Sequence, residues 1–300
     1  MYQIKRIVDQ AIITPAMDPV LLNNINGASV IKVPSWCENA LGKYYMYFAH
    51  HGGKFIRLAY ADNIEGPWTV HTPGTLQLEQ TPFIGHIASP DVHIDEENKR
   101  IIMYYHGVVP KTVRDHRGQR SCVAFSNNGL DFNADNKTIL GAFYFRIFEH
   151  EGYVYSIAKR TDSPGGGVLA RSKDGFSAFE QGPNILENQR HVALLKRGNE
   201  MDIFYSRGED NPESILLATM DLNGDWKSWT PSEPKLILKP ELDYEGANLP
   251  KEASFFGAVH KPVNQLRDPC IYCEDDRIYM FYCCAGETSI SMVELIKISD

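Results

Sequence analysis

Hydrophobic and polar positions along this 300-residue chain alternate in short runs, and no 3.6-residue period persists beyond two turns. Five apolar runs stand out, each with aromatic or β-branched residues on both alternating faces: GKYYMYFAHH from Gly42, KRIIMYYHG from Lys99, GYVYSIAKR from Gly152, EMDIFYSRGE from Glu200 and DRIYMFYCCAGE from Asp276. Each follows a shorter apolar strand, at Ala28 to Val33, Val92 to Asp95, Ile147 to His150, Val192 to Leu195 and Cys270 to Cys273. Four are followed by a small-residue strand, a turn rich in Asp, Asn and Gly, and then Trp or Phe, as in LAYADNIEGPW; the fifth ends in ISMVELIKI.

The repeat length of roughly 50 to 75 residues is that of propeller blades. Because both alternating faces of Tyr44 to Phe48 and of Tyr279 to Tyr282 are apolar or aromatic, each sheet must be covered on both sides, whereas a two-sheet sandwich would leave wet outer faces. The expectation is an all-β, single-domain, five-bladed propeller with blades at roughly 24–80, 81–140, 141–187, 188–240 and 265–300. Residues 2–8 are placed to supply an outer strand that closes the ring onto the last blade. The stretch 240–265 has no strand pattern; a connection that long inside a compact domain is usually functional, and Tyr244, Phe255 and Phe256 argue that it is ordered.

Composition narrows the function. A net charge of −8 without a Lys/Arg cluster argues against nucleic acid, and no apolar run approaches the roughly 20 residues of a membrane-spanning helix. The start, MYQIKRIVDQ, lacks the apolar core of a signal peptide, so the chain reads as cytoplasmic, or exported with a signal already removed. The six cysteines do not form a disulfide scaffold, and Cys270 and Cys273 sit on opposite faces of a strand, so buried reduced thiols are expected rather than a metal site.

In an antiparallel hairpin the start of one strand and the end of the next return to one edge. Aligned starts are Asn26 or Gly27, Asp91, Arg146, His191 and Asp268; aligned ends are His50 and His51, His106, Lys159 and Arg160, Arg207 and Glu209, and Glu287. Carboxylates with cations and imidazoles around one channel mouth suit acid/base cleavage of a glycosidic bond. Each carboxylate could equally cap a strand by accepting from backbone N–H groups. Histidines at strand ends are read as hydrogen-bonded linings rather than metal ligands.

The run Ser89-Pro90-Asp91-Val92, the strand Tyr44 to Phe48 with LAYADNIEGPW, and Arg267-Asp268-Pro269 before an acidic turn resemble the five-bladed propeller glycosidases of the arabinanase, levansucrase and invertase type, most closely glycoside hydrolase family 43. That resemblance, carried by the repeat from about Asn24 onward, implies a base Asp, a modulating Asp and an acid Glu in a central pocket. Asp91 matches the second of these. The first-blade motif is missing, since the chain reads Asn26-Gly27-Ala28, and Arg146 stands at the third-blade start. On this reading Asp91, Asp268 and Glu245 form the catalytic set of a glycoside hydrolase acting on a small oligosaccharide, with Glu209 and Glu287 as weaker candidates. Arg146, His191, Arg207, Arg267, His50, His51 and His106 would bind the sugar. No cofactor is called for, and an ion on the propeller axis is left unassigned. Phosphorolysis, or sugar binding without cleavage, are the alternatives.

Overall fold

A computed structural model describes residues 2–112, 116 and 118–298. Its strands form five antiparallel four-stranded sheets. The first holds β2 (Asn26–Lys32), β3 (Tyr44–Ala49), β4 (Arg57–Ala61) and β5 (Thr69–His71); the second β6 (Ile84–Asp95), β7 (Arg100–Val108), β8 (Gln119–Ser126) and β9 (Asn133–Ala134). The third holds β10 (Phe143–His150), β11 (Tyr153–Lys159), β12 (Gly167–Ser172) and β13 (Glu180–Ile185). The fourth holds β14 (Gln189–Arg197), β15 (Glu200–Arg207), β16 (Ile215–Asp221) and β17 (Lys235–Leu238). The fifth is composite: β18 (Arg267–Glu274), β19 (Arg277–Cys284) and β20 (Ser289–Lys297) are completed by β1 (Tyr2–Arg6). The inner strands β2, β6, β10, β14 and β18 touch in sequence and close on themselves, so the protein is the five-bladed propeller that the repeat predicts.

The period of two along each strand explains the packing. Tyr44, Met46 and Phe48 of β3 point toward the fifth blade and pack with Tyr279, Phe281 and Met292. Tyr45 and Tyr47, on the other face, pack toward the second blade with Met103 and Tyr105. Each of the five apolar clusters lies in this way between two neighbouring blades. Burying each large side chain contributes roughly 1.5–3 kcal/mol, so the interfaces between sheets are the core. The buried Tyr47 phenol is satisfied, donating to the Gly129 carbonyl at 2.9 Å, whereas the Tyr105 hydroxyl has no hydrogen-bond partner.

Ring closure rests on β1, paired with β20 from Tyr2 opposite Lys297 to Arg6 opposite Val293. All six cysteines are free; five are buried, while Cys273 is exposed on the face opposite Cys270, which corrects the expectation that it too is buried. Among the described residues no helix is long and apolar enough to cross a membrane.

Candidate active site

Every inner strand begins with a register break against its neighbour, between Asn26 and Ser29, Ala88 and Asp91, Phe143 and Arg146, Gln189 and Val192, and Arg267 and Cys270. Such bulges re-aim side chains. The first bulged residue takes a left-handed backbone in four blades: Gly27 at φ 66°, Ser89 at 51°, Tyr144 at 64° and Asp268 at 50°. For the three with a Cβ this is strained backbone, at about 1–2 kcal/mol each. The equivalent residues around the axis are therefore Gly27, Ser89, Tyr144, Arg190 and Asp268. Asp91 and Arg146 come directly after their bulges, one layer deeper, which corrects the alignment made from sequence.

A cavity of about 270 Å³ opens where these bulges converge. Its wall carries Asn26, His51, His86, His106 and His191, the cations Lys159 and Arg190, and the rings of Phe143, Tyr144 and Phe256. Among the described residues no carboxylate lines it. The carboxylates lie beneath, each held by a cation or imidazole. Asp268, 1% exposed, accepts from the Gly27 N–H at 3.2 Å and lies against Nδ1 of His191. The His191 Nε2 meets the Tyr144 hydroxyl at 2.8 Å. Burial drives the His191 imidazole down to about 4, against the upward pull of Asp268. Burial opposes ionisation of Asp268, but the His191 contact outweighs it and holds the carboxyl below its ordinary range. At neutral pH the pair is thus a carboxylate and a neutral ring that donates from Nδ1, leaving Nε2 to accept from Tyr144.

Glu287 sits beside this pair, accepting from Asn24 at 2.7 Å and Arg267 at 3.2 Å and contacting His51 Nδ1 at 2.9 Å. Burial opposes its charge, yet His51, Arg267 and Arg190 carry its pKa well below the carboxylate range. Arg267 also meets Glu213 at 2.6 Å, and Arg190 meets Glu213 at 3.3 Å while donating to the carbonyls of Phe255 and Gly257. The floor is a buried network of paired charges, in which Arg267 Nε is left without a hydrogen-bond partner.

The structure brings together Asp268, His191, His51 and His106 of the sequence-predicted set, with Arg267 beneath them. It does not bring Asp91 to the pocket. That carboxylate accepts from the Ile147 N–H and meets His93 Nε2, both at 2.8 Å, and so ties the second blade to the third. Arg146 is spent on the carbonyls of Pro90 and Phe145. Glu245 does not hang over the mouth: its carboxylate is fully buried on Arg6 at 3.0 Å, the Tyr282 hydroxyl at 2.8 Å and the Glu241 N–H at 2.8 Å, clamping the linker to the fifth blade. His50 alternates with His51 and turns to Phe55 instead of the axis. Arg207 pairs with Asp210 at 3.0 Å and Arg160 with Asp162 at 2.9 Å, in a larger groove of about 580 Å³ on the rim. Glu209 is exposed on the turn after β15.

The linker does cover the mouth, through Phe256. Its ring occupies space that only glycine leaves free: a Cβ on Gly165 or Gly208 would meet it at 2.2 and 2.4 Å. Sequence reasoning missed Tyr144, Arg190 and His86 as lining residues. A signal existed in Ser89-Pro90 and Asp268-Pro269, two X-Pro pairs that occupy the bulges of the second and fifth blades. Among the described residues no group of three or more His, Cys, Asp or Glu is placed to hold a metal ion.

No family model matches the chain. Solved structures share its fold. It superposes on a family-43 β-xylosidase/α-arabinofuranosidase from a compost microbial metagenome, in complex with xylotriose, with a TM-score of 0.64 at 14% identity over 100% of this chain and 97% of that one. An endo-1,4-β-xylanase of Bacteroides thetaiotaomicron gives 0.61 at 16% identity, covering 98% and 94%. In sequence the chain is 38% identical over 308 aligned positions to the uncharacterized protein R118 of Acanthamoeba polyphaga mimivirus, covering 91% of this chain and 84% of the other. The chain belongs to the family of that mimivirus protein, built on the five-bladed propeller found in family-43 glycoside hydrolases.

Proposed function

We propose that this protein acts on the glycosidic bond of a small carbohydrate held in the axial pocket, with proton transfer carried by Asp268, His191 and Tyr144 in place of exposed carboxylates. The observation that supports this reading is the continuous contact from the Asp268 carboxylate through His191 to the Tyr144 hydroxyl at the cavity wall. Asp268 fixes the tautomer and steadies the charge that forms on the ring. His191 Nε2, through the Tyr144 hydroxyl, draws a proton from the attacking water as its oxygen bonds to the anomeric carbon, and the leaving glycosidic oxygen receives that proton as its C–O bond breaks, so no tyrosinate accumulates. Positioned proton transfer of this kind contributes roughly 10²–10⁴-fold. The likeness in fold to enzymes solved with bound xylotriose or galactotriose adds support for a sugar ligand.

Sugar binding without cleavage is the second reading, favoured by the lack of a carboxylate among the described lining residues. A panel of nitrophenyl glycosides and oligosaccharides, with and without inorganic phosphate, separates the readings. Hydrolysis is expected, with Tyr144→Phe lowering kcat about 100-fold and leaving KM nearly unchanged. Sugar phosphate released only with added phosphate would replace hydrolysis by phosphorolysis. Saturable binding with no product at any pH would establish the non-catalytic role.

A further inference from the structure

Lys159 ends β11 opposite Phe143, and its side chain reaches the axial cavity although only 8% of the residue is exposed. Its amine has no hydrogen-bond or ion-pair partner among the described residues. It is boxed instead by rings, 5.7 Å from the centroid of Phe143, 6.0 Å from Tyr144 and 5.3 Å from Phe256. The other cations around the mouth are matched: Arg190 and Arg267 by Glu213 and Glu287, Arg207 by Asp210, and Arg160 by Asp162. Rings attract an ammonium ion but leave its three N–H donors unused.

We infer that Lys159 recognises an anionic substituent, a carboxylate or a phosphate, on the sugar that occupies the axial pocket, so that the ligands are acidic sugars rather than neutral ones. This rests on the carbohydrate reading above. The same cavity wall carries His86, His106 and Gln119, and among the described residues it offers no carboxylate that would repel an anion. The rings exclude water, which strengthens an ion pair formed there. Burial, followed by the nearby Arg190 charge, lowers the amine to about 8, so it stays mostly protonated at neutral pH, and an anion beside it would raise it again. Asp268 and Glu213 act on Lys159 at longer range, but each has a nearer partner, in His191 and the two arginines.

Calorimetric titration of the full chain tests this with glucuronate, galacturonate and glucose 6-phosphate against glucose, galactose and inorganic phosphate alone. At least one acidic sugar should bind about tenfold or more tightly than its neutral parent. Lys159→Met should erase that difference, and Lys159→Arg should keep much of it. The uronate and phosphate arms identify the anion. Neutral sugars binding as tightly as acidic ones would overturn the inference and leave the carbohydrate reading standing; no binding by any sugar would overturn both. An acid preference that survives in folded Lys159→Met would move recognition to another residue and refute the assignment. If the Met variant fails to fold, the ¹⁵N shift of the Lys159 amine in the native protein decides: it should move with the acidic sugar and stay still with the neutral one, and the reverse refutes the proposal.

Discussion

A histidine buried in neutral form makes stability depend on pH in a predictable direction. Burial lowers His191 and His50 to about 4 and His106 well below its ordinary value. Between those values and about 6.5 the unfolded chain holds protons that the folded chain refuses. Their contribution is therefore complete above the ordinary histidine range and is lost as pH falls through it. His93, raised by its contact with Asp91 against the opposing effect of burial, works in the other direction, but alone. Asp268 and Glu287 are depressed carboxylates whose contribution disappears only at lower pH. Urea unfolding at pH 7.5 and pH 5 should thus show a loss of stability on acidification, on the order of 2 kcal/mol from His191, because pH 5 lies part-way through its window; a flat profile would contradict the neutral ring assigned to it. At this scale the sequence was partly legible. Asp268, His191, His51 and His106 stand at strand ends where the hairpin rule places them. Tyr144 and Arg190 were hidden because a bulge moves the axial position without leaving a mark in the alternation.

The bulges also account for what the hydrophobic pattern reads at the level of elements. All five hairpins were visible, yet the inner strands begin well before their apolar runs: β6 starts at Ile84 rather than Val92, and β10 at Phe143 rather than Ile147. Polar and strained residues in the bulge break the period of two, so the strand looks shorter than it is. The linker was legible as ordered but not in its role. Its acidic residue serves the fold, and its aromatic residue serves the pocket. Accordingly Glu245→Gln should cost about 2–4 kcal/mol in chemical denaturation, because Arg6 and Tyr282 lose their buried partner. Sugar binding per folded molecule should stay unchanged; loss of binding at full stability would return Glu245 to the site.

For the molecule as a whole, closure of the ring turns five weakly similar hairpins into one cavity. The blades were readable because their packing is repetitive: apolar faces on both sides of a strand allow few architectures. The cavity's chemistry was not, because it depends on which residue of each bulge faces the axis and on a phenylalanine delivered by a connection of irregular structure. The larger grooves, of about 750 and 580 Å³, are lined by residues outside the five inner strands. The central claim is that the sugar site is axial. A crystal structure of the protein soaked with galacturonic acid tests it most directly. The account predicts sugar density on the propeller axis, within hydrogen-bond reach of His191 and Lys159 and beneath Phe256. Density confined to the rim groove beside Arg207 and Trp229, or an empty axis at saturating sugar, would contradict it.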